Sequence, residues 1–340
     1  MILRRAVRAL CICVTVGVCF DPAPSAAPSV TSQSLPAPVV AKPITAFKPG
    51  SRETRFGALE FLGGLQFTSR EPLLGSLSSF RLRADGVHFV SVLDTGHWLT
   101  GRLVRDAEGR LSGLDDTVVT PMRDARGQEP RLKGDIDAEG LALRPGQAIV
   151  SFERSHRVEV YPDPGFEHAK PERNLDILIP KRELRSNGSL ETVVVAPLSS
   201  PLKGAVLTIA EQSVDADGNL FAAILEGPLK GQFKVVRNDP FNVTDGAFLP
   251  NGDLLLLERR FSVLGGVGMR IRRIAGDTLK PGAVVDGPVL IEADMGFEID
   301  NMEGIDVTVG PDGHPHVILV SDDNDSFLQR NLMLEFRLIE

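Results

Sequence analysis

One phrase recurs along this chain: an acidic residue beside a glycine, a short strand, a turn, an apolar strand, then another acid. The clearest copies are Asp137-Ala-Glu139-Gly140-Leu141 closing at Glu153-Arg154, Thr244-Asp245-Gly246-Ala247 closing at Glu258-Arg259, and Met302-Glu303-Gly304-Ile305 closing at Asp322-Asp323. A chain that repeats one supersecondary unit folds by repeating it, because each unit needs its neighbours to cover its apolar face. Weaker copies bring the starting points to residues near 75, 137, 188, 245 and 303. The spacing, roughly 50 to 60 residues, is the length of four strands with their loops.

Between these points, short apolar runs such as Val87–Leu93, Ala148–Phe152, Leu220–Leu225 and Val317–Val320 are bounded by Asp-Gly, Asn-Gly or Pro-Gly pairs. Such pairs form hairpin turns. The chain holds 33 Gly and 24 Pro, and no long stretch has helical periodicity; Pro180–Leu184 reads as one short helical insert. The expectation is an all-β fold, a six-bladed β-propeller of four-stranded antiparallel blades, its ring closed by Phe56–Phe67 pairing with the C-terminal strand. Innermost strands would line a central channel, and the paired acids of each phrase would share one face of the disc.

The first residues read as an export signal: Arg4, Arg5 and Arg8, an apolar run from Ala9 to Phe20, and small residues around Ala23–Ala27. The run is too short to span a bilayer, so the mature protein is expected to have no transmembrane segment and to be periplasmic or secreted in a bacterium. The Arg pair leaves the general secretory and twin-arginine routes both open. All three cysteines, Cys11, Cys13 and Cys19, fall inside this signal peptide (residues 1–26), which leaves no disulfide and no thiol chemistry. Residues 27–50, rich in Pro, Ser and Ala, read as a loosely packed linker, and residues 51–340 as the folded domain, expected to act as a monomer. The formal net charge is −8 and becomes more negative once the basic signal is removed. An acidic surface excludes nucleic acid as a partner and suits divalent cations.

Several carboxylates thus converge on one channel mouth. Glu139, Asp245, Glu303, Asp322 and Asp323 are the expected metal ligands, with Asp94, Glu191, Glu211, Glu258 and Asn324 as further mouth residues. Hard oxygen donors from several blades suit Ca2+, with Mg2+ as the alternative. Arg154 and Arg259 directly follow strand-closing acids and could hold an anionic ester or phosphoester. Glu153 could activate a water, and His156 sits at the site edge. His314-Pro-His316 reads as an exposed turn. No Gly-x-Ser-x-Gly elbow occurs, which argues against a serine hydrolase of the α/β type.

The phrases at Asp137–Leu141 and Ser151–Arg154, Asn187–Glu191, and Glu303–Ile305 with Val320–Asn324 resemble the bacterial family described as "esterase-like activity of phytase". The most distinctive part is Asp322-Asp-Asn324 followed by Gln329–Phe336. The resemblance covers roughly residues 55–340 and implies an exported six-bladed propeller active on carboxylic or phosphate esters. The first blade departs from the family wording at Gly75–Phe80, where Asp94 supplies the closing carboxylate. The competing expectation is a noncatalytic periplasmic propeller that binds a small molecule, an envelope component or a protein through the same mouth.

Overall fold

The computed structural model describes residues 34–339, apart from 131, 263, 264 and 325; the expected signal peptide and the start of the expected linker lie outside the described residues. Among the described residues there are five sheets, and the inner strand of each lies at one of the five phrases. The inner strands are Leu77–Leu82, Ala138–Arg144, Thr192–Val195, Asn242–Phe248 and Asn301–Val309. Each packs against the next and the fifth packs against the first, so the described residues form a β-propeller of five blades rather than six.

The blade count follows from where the N-terminal strand goes. Leu59–Ser69 pairs with the last strand, Asn331–Leu338, in the register Leu65↔Met333, and Val39–Ile44 pairs outside it. The predicted ring closure is therefore present, but it completes the fifth blade instead of adding a sixth. Length alone could not decide this: the surplus residues go into extra edge strands, Leu35–Pro36 on the first blade and Val284–Val285 on the third.

The chain also enters the fold before residue 51, contrary to the linker reading. Phe47 is fully buried, with its ring 5.0 to 5.7 Å from those of Phe56, Phe61, Phe297 and Phe336. Burying an aromatic ring contributes a few kcal/mol, enough to hold a Pro-rich segment against the fifth blade. The insert at Pro180–Leu184 is a single 3-10 turn, Lys181–Glu183. Among the described residues no helix is long and apolar enough to cross a membrane.

The glycine of the phrase has a steric cause. A Cβ on Gly140 would lie 2.5 Å from the Glu191 carbonyl oxygen and 2.7 Å from the Val193 nitrogen. Inner strands crowd toward the axis, and at this point the backbone of the third blade occupies the space of a side chain.

Candidate functional site

The site forms where inner strands begin and second strands end. Backbone pairing returns each second strand to the start of its inner strand: Asp94 N–H donates to the Ser76 carbonyl (3.0 Å), Glu153 N–H to Asp137 (2.9 Å) and Glu211 N–H to Ser189 (2.9 Å). In the fifth blade Asp322 stands opposite Asn301. In the fourth, the residue opposite the first residue of the inner strand, Asn242, is Arg259. Four blades therefore present an acid at this level and the fourth presents a guanidinium. Glu139 and Glu303 join them from the inner strands, and Glu191 from the position just before one.

These groups interact as one cluster. Carboxylate oxygens of Asp137, Glu139 and Glu153 lie within 4.8 Å of one another. Ser189 N–H donates to Glu153 Oε1 at 2.5 Å, and Arg154 Nε donates to Asp137 Oδ2 at 2.5 Å. Across the mouth, Arg259 meets Glu303 Oε1 at 2.8 Å and Glu211 Oε1 at 3.7 Å and donates to Asn301 Oδ1. Asn301 Nδ2 in turn donates to Glu303 Oε1 at 2.6 Å. Glu211 Oε1 is buried and accepts no hydrogen bond from the described residues. Leu77 N–H donates to Asp322 Oδ1 (3.2 Å) and Asn331 Nδ2 to Asp323 Oδ2 (2.7 Å).

Burial and mutual repulsion dominate the protonation of this set. Burial, reinforced by Asp137, Glu153, Asp94 and Glu303, pushes Glu139 well above the usual carboxylate range. Burial does the same to Glu191, with Glu139 and Glu211 adding to it. Glu303 is raised by burial to about 7 although Arg259 opposes the shift. Asp322 rises to about 8 through burial, with Glu303 the strongest repelling charge. Buried acids this close together need protons or cations to offset their charge.

Two of the predicted mouth residues are engaged elsewhere. Asp245 lies deeper in the channel, fully buried and gripped by Arg81 through both oxygens at 2.7 and 2.8 Å. Ser79 Oγ, Ile305 N–H and Gly246 N–H also donate to it. Arg81 further donates to the carbonyls of Phe80, Val193, Gly246 and Ile305, so a single ion pair plugs the channel and ties four blades. Burial raises the Asp245 acid despite Arg81, whereas Asp245 raises Arg81; five donors on one carboxylate support the ionised pair. Glu258 points away from the axis and is held by Arg270 Nε and Arg272 Nη2, both at 2.6 Å.

The remaining predicted residues flank the cluster. Arg154 is half exposed with a left-handed backbone (φ 50°). His156 is buried behind Glu153, its Nδ1 3.1 Å from Ser189 Oγ, and burial lowers its pKa. Asn324 borders a cavity of about 670 Å³ that opens beside Arg259 and Glu211. A larger cavity, about 860 Å³, lies against residues 123–130 and Leu132, where Arg123 pairs with Glu129, Arg126 with Asp124 and Arg157 with Glu159. His316, expected in an exposed turn, is buried between Glu335 (3.0 Å) and Asp312 (3.2 Å) on the opposite side of the fifth blade's hairpin. Sequence reading passed over Asp137, Asn301 and Arg81 as site residues. Asp137 had a signal, since it opens the best-preserved phrase.

The family model "Phytase-like: Esterase-like activity of phytase" matches residues 72–325. No curated protein matches the chain. Among solved structures, the chain is similar to the PQQ-bound aldose sugar dehydrogenase of Streptomyces coelicolor at 14% identity and a TM-score of 0.42, covering 89% of this chain and 99% of that one. It is also similar to the hydrazine synthase of Kuenenia stuttgartiensis (11% identity, TM-score 0.36, 81% of this chain and 60% of that one). A third similarity is to a tail fiber of Staphylococcus aureus phage P68 (12% identity, TM-score 0.41, 86% and 55%).

Proposed function

This chain belongs to the phytase-like family, and from that premise we propose that its acidic channel mouth binds a divalent cation and hydrolyses a small anionic ester or phosphoester. The observation that carries the reading is the cluster of the partly buried Glu139, Glu191 and Glu303 with the buried Asp322, whose raised acids repel one another and meet few positive charges. The donors are all hard oxygens drawn from several blades, a set that fits Ca2+, with Mg2+ the alternative. Asp137 and Glu139 would hold the ion on one side, with Glu303, Asp322 and Asp323 facing them and Glu153 left beside the ion's bound water. When bound, such an ion neutralises charge and polarises a phosphoryl or acyl oxygen.

The chain's own residues supply the rest. Arg259, oriented by Asn301 and Glu303, presents the guanidinium that would pair with an anionic oxygen of the substrate. Glu153, fixed through Oε1 by Ser189 N–H, would accept a proton from the attacking water. Noncatalytic binding is favoured by one observation: Arg154 and Arg259 both already pair with acids, as a purely structural mouth would require.

One set of assays separates the readings. Purified protein is titrated with Ca2+ by calorimetry, then assayed on p-nitrophenyl acetate, p-nitrophenyl phosphate and phytate, with and without EDTA, beside Glu139→Gln and Asp322→Asn. We expect saturable Ca2+ binding and turnover that EDTA abolishes and both variants weaken. Binding without turnover on any ester leaves the noncatalytic reading; absence of Ca2+ binding removes the cation site itself.

A further inference from the structure

The mouth continues sideways into the 670 Å³ cavity between the third, fourth and fifth blades, and its walls differ from its floor. The floor holds Glu211, Arg259 and Asn301. The walls carry Phe261, Met295 and Leu328, which are 74%, 58% and 78% exposed. Single exposed apolar residues are ordinary on a protein surface. Three of them around a concavity with a polar floor have the composition of a ligand pocket, and the volume is in the usual range for one. Met295 lies across the fourth blade's hairpin because Gly266 lacks a side chain: a Cβ there, at φ +61°, would sit 2.8 Å from Met295 Cγ.

Charge narrows the occupant further. Arg259 is the only Lys or Arg among the described residues lining this cavity, and Glu211 and Asp300 line it too. A ligand carrying many phosphates needs several cations or bidentate donors, which these walls do not offer. We infer that, on the hydrolase reading proposed above, the substrate is an ester with one anionic head and an apolar aryl or acyl group. Its head lies at Arg259 and its apolar group against Phe261, Met295 and Leu328, and inositol polyphosphates are poor ligands.

The test is a binding measurement that needs no turnover. Phenylphosphonate, methylphosphonate and inositol hexakisphosphate are titrated calorimetrically into the protein with Ca2+ present, and into the surface variant Phe261→Ala/Met295→Ala/Leu328→Ala. Burying much of a phenyl ring predicts that phenylphosphonate binds about tenfold more tightly than methylphosphonate. In the triple variant that preference should collapse, with methylphosphonate affinity unchanged. Equal binding of the two phosphonates, an unchanged preference in the triple variant, or tighter binding of inositol hexakisphosphate overturns the inference while leaving Ca2+-dependent hydrolysis standing. If neither phosphonate binds and no ester is turned over, the inference and the hydrolase reading fall together.

Discussion

Replacing Asp245 by Asn changes almost nothing in size and removes one charge from the centre of the channel. Arg81 would then keep its four backbone carbonyl contacts but lose the carboxylate that accepts from both its terminal nitrogens at 2.7 and 2.8 Å. Breaking a buried ion pair by removing one partner costs about 3–5 kcal/mol, because the other charge stays buried without compensation. With an unfolding entropy of about 2 cal/mol/K per residue over roughly 300 residues, a loss near 4 kcal/mol lowers the melting temperature by about 6 °C. Thermal unfolding by circular dichroism reads this directly, and calorimetric Ca2+ titration of the same variant should show unchanged affinity, since Asp245 forms the plug with Arg81 and is not among the ligands of the proposed cation site. The double variant Arg81→Met/Asp245→Leu should recover part of the lost stability, because it removes both charges together. A single variant that melts within about 1 °C of the parent, or one that loses Ca2+ affinity while keeping its melting temperature, would refute the assignment of Asp245 to bracing.

Two further outcomes follow from the mouth and its walls. In EDTA, stability should fall as pH rises: Glu303 and Asp322 hold protons in the folded state up to about 7 and about 8 against ordinary values of 4.5 and 3.8. Their contribution is thus full below about pH 4 and lost through the window that ends near pH 8. Adding Ca2+ at pH 8 should restore the melting temperature, and a melting temperature that is flat or rising over this range in EDTA would contradict the repulsion argument. Gly140→Ala places a methyl group 2.5 Å from the Glu191 carbonyl oxygen and 2.7 Å from the Val193 nitrogen, both backbone atoms with little room to yield. A loss of about 3 kcal/mol with weakened Ca2+ binding is expected, and a variant as stable as the parent would mean that inner strands shift freely.

The acid-glycine phrase located all five inner strands, and the turn pairs located most hairpins, because both depend on local backbone chemistry. Blade number was less legible, since it depends on whether Leu59–Ser69 finds partners of its own or joins Asn331–Leu338, a choice made by long-range packing. The same limit hid the entry of Phe47 into the core: a Pro-rich segment looks like linker until four aromatic rings, two of them far along the chain at Phe297 and Phe336, are seen to surround it. His316 looked exposed beside its Pro315 turn, yet Glu335 on the neighbouring strand pairs with it from within the sheet. Within the mouth, Glu139 with Glu153 and Glu303 with Asp322 were readable as pairs because their hairpins return to the same end of the blade.

The fourth blade shows how one step along a strand decides the chemistry of the mouth. Successive side chains of a strand face opposite sides, so Glu258 and Arg259 cannot both reach the channel. The pairing shifts between Val243 and Asp245 and sets Arg259 opposite Asn242, while Glu258 stands opposite Arg270 and is clamped by Arg270 and Arg272. The carboxylate therefore braces the sheet and the guanidinium enters the ring of acids. Had the register placed Glu258 inward, the mouth would hold one more repelling charge and no guanidinium beside Glu303 and Glu211. With Arg259 inward, the mouth combines carboxylate oxygens with a guanidinium a few ångströms away, and the cavity flanked by Phe261, Met295 and Leu328 opens on the side where that guanidinium lies.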